Sequence, residues 1–254
     1  MSSWRGVLQN AADLDQTHTV PASYVAGHAI GIIAVELVYP KLPGNVVNAT
    51  TYPFPVLYQR VRFDIERLFR GDPGIADQIV AAAVELEAQG VRAIIGACGY
   101  FAHFQEQVKA AVKVPVFLSS LCQVPLIRLG LQQDQKIAVL VASAEHVTGD
   151  LLRRTGADLD ACVIHDIGSL DSFAPIRWGR TALDNDRLTR DLAESARALV
   201  AQRPDIGAVL LECSDLPPYA SAIQRATGLP VFDFISLIQW VYHGVVQKRY
   251  LGYF

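Results

Sequence analysis

The chain has 254 residues, of which 51% are hydrophobic, so it can bury a substantial core. Its net charge is −3 and its 22 basic residues are scattered, which argues against a nucleic-acid or anionic membrane partner. No stretch approaches the roughly 18 consecutive apolar residues of a membrane span, and residues 1–20 show no targeting pattern. We therefore expect a cytoplasmic protein with no membrane partner.

Short apolar runs alternate with amphipathic stretches almost from end to end, a pattern typical of βα units on a parallel sheet. The pattern predicts four strands in each half of the chain, with seven helices between and after them. The predicted strands lie near residues 29–38, 46–51, 91–97, 114–118, 136–142, 161–166, 208–211 and 231–234. The predicted helices lie near residues 74–89, 101–112, 121–131, 146–154, 185–202, 216–227 and 235–247.

Two segments of the chain, residues 93–117 and 208–232, align without a gap at a displacement of 115 residues. The alignment places Cys98 on Cys213, and both segments end in Pro-Val-Phe. A repeat of this kind predicts two similar half-molecules that each present one cysteine at the same structural position.

The repeat leads us to expect two pseudo-symmetric α/β lobes, each with a four-stranded, mostly parallel sheet flanked by helices. We place the active site in the cleft between the lobes. The first lobe is expected to comprise residues 1–119 together with residues 235–254, whose helix returns across it. The second lobe is expected to comprise residues 120–234.

The two aligned cysteines each follow a predicted buried strand and precede a predicted helix. This is the carboxyl edge of a parallel sheet, where open α/β folds bind ligands. A helix N-terminus at that edge can hold a substrate carboxylate and lower the pKa of a thiol. Cysteine is also a common packing residue, and Cys122 and Cys162 are interpreted in that way. The four cysteines show no spacing typical of a zinc site or a disulfide framework.

The residues around the aligned cysteines, GACGYF at Cys98 and LECSDLPP at Cys213, resemble those around the two catalytic cysteines of the aspartate/glutamate/hydantoin racemase superfamily. The resemblance covers most of the chain. It implies a two-lobed α/β fold and proton transfer at a carbon beside a carboxylate, without pyridoxal phosphate or metal. The chain has Gly99-Tyr100 where these racemases commonly have Asn-Thr, and Ser214-Asp215 where glutamate racemases have Thr-His.

The resemblance leads us to expect a cofactor-independent racemase or epimerase of a small carboxylate-bearing substrate of the amino-acid or hydantoin type. One ionised thiol would abstract a proton and the other would return it. A lyase that decarboxylates a small dicarboxylate of the arylmalonate type, or a cis-trans isomerase of the maleate type, is an alternative on the same scaffold. A non-catalytic small-acid binding protein is a second alternative. The oligomeric state is left open, and a homo-oligomer is compatible with the sequence.

Further candidates for substrate binding are polar groups at the same predicted sheet edge or in the proline-broken segment 39–58. They are Gly99, Tyr100, Ser214 and Asp215 beside the cysteines, and Asn45, Thr51, Ser119, Ser143 and His146 farther along the chain. Helix capping, turn formation or a solvated position is the structural alternative for several of them. The glycine-rich signatures of nucleotide sites are missing from the sequence.

Overall fold

A computed structural model describes residues 25–248, 250 and 252–253. The expectation that residues 1–20 carry no targeting pattern concerns residues outside the described part. Eight strands in this part form two separate four-stranded sheets. The strands are β1 (Ile30–Val35), β2 (Val56–Val61), β3 (Ala93–Gly96), β4 (Val116–Phe117), β5 (Lys136–Val141), β6 (Cys162–Asp166), β7 (Ile206–Leu211) and β8 (Val231–Phe232).

The strand order is β2-β1-β3-β4 in the first sheet and β6-β5-β7-β8 in the second. Each pair of neighbouring strands among the described residues is parallel. The central strands β1, β3, β5 and β7 are almost wholly buried, which explains their continuous apolar sequences. The expected fold class, two four-stranded parallel sheets flanked by helices, is confirmed.

The helices lie between the strands and after the last of them. They are α1 (Ile65–Phe69), α2 (Ala76–Ala88), α3 (Gln105–Ala111), α4 (Val124–Leu129), α5 (Gly149–Arg154), α6 (Ala174–Arg177), α7 (Asn185–Gln202), α8 (Ala220–Thr227) and α9 (Phe234–Val245). Local capping sets several of the boundaries. Asp184 accepts a hydrogen bond from the Arg187 backbone at the start of α7, and Asp233 and Ser236 form a capping box at the start of α9. Where helices were predicted to begin at residues 101, 121 and 216, a 3-10 turn comes first.

The prediction of a strand at residues 46–51 is wrong. Residues 49–51 form a 3-10 turn, because the Asn48 side chain accepts a hydrogen bond from the Thr50 backbone and caps it. The strand is instead β2, which lies at the edge of the sheet, is mostly half-buried and contains Gln59 and Arg60. Helices α1 and α6 were not predicted, since their five and four residues are too short to show a helical period.

The sequence repeat is also a structural repeat. Ile94 on β3 pairs with Val116 on β4, and Val209 on β7 pairs with Val231 on β8, each at the displacement of the repeat. The two sheets have the same strand order, so β3 and β7 occupy equivalent positions. The two cysteines that follow these strands are therefore equivalent in the fold.

The last helix, α9, packs on one face of the first sheet. Phe234, Leu237 and Ile238 are buried there against Ile30 and Ile32 of β1. Burying side chains of this size stabilises the fold by about 1.5–3 kcal/mol each. The division of the chain into lobes at residues 119 and 234 stays a prediction. No helix in the described residues has the length and hydrophobicity to cross a membrane.

Candidate active site

Cys98 and Cys213 line the same pocket, at the carboxyl ends of β3 and β7. The pocket is lined by β1, by helices α1 and α6 and by segments that follow strands of both sheets, and it spans about 570 Å³ of empty space, part of which is open to solvent. Both cysteines are buried, with 9% and 6% of their surface exposed. The two residues that the repeat pairs in sequence thus face one small volume.

Each thiol lies beside the backbone N–H group two residues further along the chain. The N–H of Tyr100 bonds to the Cys98 sulfur and the N–H of Asp215 bonds to the Cys213 sulfur, which favours the thiolate. Burial outweighs these bonds and raises the pKa of both thiols well above the ordinary value. The expected lowering of the thiol pKa by a helix N-terminus is therefore wrong. A 3-10 turn follows Cys98 instead of an α-helix.

The two thiols have unequal electrostatic surroundings. The Cys213 thiol donates a hydrogen bond to Asp215 Oδ2 at 3.4 Å, and the charges of Asp215 and Glu212 further raise its pKa. The pKa of Cys98 is likewise raised by burial and by Glu212, but the positive charge of Arg177 acts in the opposite direction. Of the two, Cys98 thus has the surroundings that more readily support a thiolate.

Asp215 is held in place by neutral hydrogen-bond donors. The Tyr39 hydroxyl donates to Asp215 Oδ1, and so does Asn45 Nδ2 at 2.5 Å. Burial raises the pKa of Asp215, while these donors and the nearby Lys41 lower it. The Lys41 ammonium lies 3.7 Å from the centre of the Tyr39 ring, and both side chains line the pocket. Asn45 is not part of the pocket lining, but it contacts Asp215, which is.

Glu212 is a second acidic residue of the pocket wall. Its side chain is fully buried, and neither carboxyl oxygen has a hydrogen-bond partner among the described residues. Burial, followed by the charge of Asp215, raises the pKa of Glu212 to about 8, so the carboxyl is mostly protonated at neutral pH. The sequence reasoning missed Glu212. The available signal was a charged residue at the end of the apolar strand that leads to Cys213.

Arg177, at the end of α6, is a cationic residue of the same pocket. Its Nη1 lies 2.9 Å from Glu66 Oε1 without the geometry of a hydrogen bond, and its guanidinium lies 4.2 Å from the centre of the Phe69 ring. Only 10% of the Arg177 side chain is exposed. The sequence reasoning missed Arg177 too, because no element was predicted between residues 167 and 184.

Two more predicted residues, Tyr100 and Ser214, line the pocket. The Tyr100 hydroxyl donates to the Ser143 carbonyl at 2.7 Å and accepts from the Ser143 N–H at 2.9 Å. The Ser214 hydroxyl donates to the Ala97 carbonyl at 2.9 Å. Both hydroxyls therefore have backbone hydrogen-bond partners.

The remaining predicted residues are not among the described residues that line the pocket. Thr51 donates to the Asn45 carbonyl at 3.0 Å, and the Ser119 hydroxyl accepts from the Leu121 backbone at 3.2 Å. The Ser143 hydroxyl lies 2.7 Å from His146 Nδ1. Direct contact of substrate with Gly99, Asn45, Thr51, Ser119, Ser143 or His146 stays a prediction.

The two other cysteines lie outside this pocket and are half-buried. Burial raises the pKa of Cys122 to about 11 and that of Cys162 to about 12. Across the described part of the chain, no three His, Cys, Asp or Glu side chains are grouped as metal ligands.

Comparison with known proteins provides independent evidence on the family. Residues 64–240 match the model of the Asp/Glu/Hydantoin racemase family. A dimethylsulfoniopropionate lyase of Durusdinium sp. clade D is 30% identical over 88% of this chain and 77% of its own length. Dimethylsulfoniopropionate lyase 5 of Emiliania huxleyi is 31% identical over 99% of this chain, which spans about half (51%) of that relative.

Solved structures show the same fold. A glutamate racemase of Bacillus anthracis superposes with a TM-score of 0.56 at 17% identity, covering 87% of this chain and 85% of the other. An unliganded arylmalonate decarboxylase superposes with a TM-score of 0.55 at 16% identity, covering 87% of this chain and 94% of the other.

These comparisons confirm the resemblance inferred from the cysteine segments and correct the expected activity. The protein is an enzyme of this superfamily, but the expectation of a racemase is wrong, because the curated relatives at about 30% identity are lyases. A lyase on the same scaffold, which was the alternative, agrees with the findings.

Proposed function

Since the chain belongs to the Asp/Glu/hydantoin racemase family and its curated relatives are dimethylsulfoniopropionate lyases, we propose that it cleaves dimethylsulfoniopropionate. This substrate is a zwitterion, with a carboxylate at one end and a dimethylsulfonium group two methylene carbons away. A base removes a proton from the carbon beside the carboxylate. The C–H electron pair forms the C=C bond of acrylate, and the C–S pair leaves with dimethyl sulfide.

The observation that carries the proposal is the unequal setting of the two thiols. An elimination needs one base, whereas a racemisation needs two groups that exchange the roles of acid and base. Arg177 favours the thiolate of Cys98, while the Cys213 thiol donates a hydrogen bond to Asp215 and lies among acidic groups. We assign Cys98 as the base, with Cys213 remaining a protonated thiol.

The charges of the pocket wall also suit a zwitterion. Arg177 and Lys41 offer positive charge for a carboxylate, and Arg177 Nη1 has no hydrogen-bond partner within the described residues. A cation placed there would stabilise the negative charge that develops on the carboxylate as the proton leaves. Glu212 and Asp215 offer acidic groups for the sulfonium end. A dicarboxylate would bring a second negative charge against these acids.

The experiment is to incubate the purified protein with dimethylsulfoniopropionate and to measure dimethyl sulfide in the headspace and acrylate in solution. We expect the two products in equal amounts, a rate lowered by at least about 10²-fold in Cys98→Ala, and nearly full activity in the control variant Cys122→Ala. Absence of dimethyl sulfide, or its release at an unchanged rate by Cys98→Ala, would contradict the proposal.

A further inference from the structure

Glu212 is an acid without a visible structural purpose. Both of its oxygens are buried and lack a hydrogen-bond partner in the part of the chain that the structure describes. A buried polar group in this state destabilises the fold unless something compensates for its lost hydration. The equivalent residue in the first half of the repeat is Ala97, so the fold itself does not need an acid at this strand end.

The position of Glu212 explains what it can reach. It lines the pocket between the loops that carry the two thiols, and it packs directly against Gly99. Its neighbour Asp215 already accepts hydrogen bonds from Tyr39 and Asn45. The charge of Asp215 is therefore partly compensated by hydrogen bonds, whereas neither oxygen of Glu212 accepts one from the residues that the structure describes.

We propose that Glu212 is the counter-ion for a positively charged ligand group, and that its carboxyl loses a proton when that group enters the pocket. A sulfonium or quaternary ammonium group has no N–H to donate, so it is recognised by charge and by aromatic faces instead of by hydrogen bonds. Phe69 and Tyr100 supply aromatic rings in the same wall. The substrate class is a short carboxylic acid that bears an onium group, and this inference rests on the proposed function because it concerns the same pocket.

The other titratable groups around Glu212 favour this coupling. Asp215 disfavours ionisation of Glu212, and burial raises the pKa values of Cys213 and Tyr100, so these two groups stay neutral near pH 7. The positive charge of Arg177 acts on Cys98, the proposed base, and favours its thiolate. A full positive charge at contact distance in a partly desolvated pocket is strong enough to ionise an acid whose pKa is about 8.

Calorimetric binding of two matched ligands tests the inference. The first is 3-(trimethylammonio)propanoate, which has the onium charge but loses its amine far less readily than a sulfonium loses a sulfide. The second is its carbon analogue, 4,4-dimethylpentanoate, which keeps the carboxylate and lacks the onium charge. Titration at pH 7 in two buffers of different ionisation enthalpy counts the protons released on binding.

In the wild type we expect the onium ligand to bind at least 10-fold more tightly than the carbon analogue, with release of nearly one proton per site. In Glu212→Gln, which keeps the shape and removes the acid, the preference should fall to about 3-fold or less and the proton release should vanish. The exposed, matched variant Glu106→Gln should behave as the wild type.

Equal affinity for the two ligands, no proton release in the wild type, or an unchanged onium preference in Glu212→Gln would each overturn the inference. If Glu212→Gln binds the onium ligand normally but loses turnover, Glu212 is a proton-transfer group and the inference is also overturned. Release of dimethyl sulfide is measured in a separate assay. An onium preference that depends on Glu212, without dimethyl sulfide release, would support this inference and contradict the lyase proposal.

Discussion

Glu212 and Gly99 are in direct contact, and a Cβ atom at residue 99 would lie 1.9 Å from Glu212 Oε1. The repeat maps this pair onto another contact, because Glu212 is equivalent to Ala97 and Gly99 is equivalent to Ser214. In that second contact the Ser214 hydroxyl bonds to the Ala97 carbonyl at 2.9 Å. The first contact places an acid against a glycine, whereas the second joins a neutral serine to the backbone of an alanine. Equivalent positions of the two halves therefore differ in charge at this pocket.

The Gly99–Glu212 contact predicts a strong interaction between substitutions at the two sites. Gly99→Ala should lower the free energy of unfolding by about 1–3 kcal/mol, because the new methyl group overlaps the Glu212 side chain. Adding Glu212→Ala should restore much of this loss. Urea unfolding of both single variants and the double variant measures the coupling.

A control for the glycine substitution is available at Gly130, where an added Cβ would meet its nearest neighbour at 3.5 Å. Gly130→Ala should change the free energy of unfolding by less than about 1 kcal/mol. Additive effects of Gly99→Ala and Glu212→Ala would show that residue 99 is a glycine for another reason.

The sheets and the cysteine pair could be predicted from sequence because each depends on a local pattern. A buried central strand such as β3 is a continuous apolar run, and the in-register cysteines identified equivalent points of two halves. The edge strand β2 was missed because partial exposure removes that pattern. Glu212 and Arg177 were missed because their properties come from burial and from neighbours distant in sequence, which only the folded chain brings together.

The pH dependence of stability should carry a contribution from Glu212. Its pKa is about 8 in the folded protein and near the ordinary value of 4.5 when unfolded, so the folded state holds a proton that the unfolded state has released between these values. The free energy of unfolding should therefore fall as the pH rises from about 4.5 to 8, by on the order of 4 kcal/mol from this group.

Glu212→Gln isolates this contribution, because other buried acids, such as Asp215 and Asp233, titrate in both proteins. Urea unfolding of the wild type and Glu212→Gln at pH 5, 6.5 and 8 gives the difference at each pH. We expect the variant to gain stability relative to the wild type as the pH rises. Parallel curves would show that the Glu212 carboxyl ionises as easily in the folded state as in the unfolded chain.

The two catalytic-site thiols should respond differently to substitution. Cys98→Ala should lower kcat for dimethyl sulfide release by about 10²–10⁴-fold, since it removes the proposed base. Cys213→Ala should have a smaller effect, about 10-fold, because it removes a hydrogen-bond donor to Asp215 and leaves the base in place. Rates of acrylate formation give both values. A larger loss in Cys213→Ala than in Cys98→Ala would reverse the assignment of the base.

The Arg177 guanidinium should affect both substrate affinity and the ionisation of Cys98. The Arg177 guanidinium lines the pocket, and its positive charge lowers the pKa of Cys98, which burial raises. Arg177→Met removes this cation. The KM for dimethylsulfoniopropionate should rise by about 10-fold or more, and the midpoint pH for alkylation of Cys98 by iodoacetamide should move upward. Peptide mapping after brief alkylation across a pH series measures this midpoint.

Two matched variants separate these effects from a loss of folding. Arg177→Met leaves Glu66 without its ion-pair partner, so the double variant Arg177→Met/Glu66→Gln should regain stability but not affinity. Arg187→Met, which removes a half-exposed surface arginine, should leave both KM and the alkylation midpoint unchanged. Restored affinity in the double variant would mean that Arg177 acts on the pocket only through Glu66, and that another cation, Lys41, binds the carboxylate.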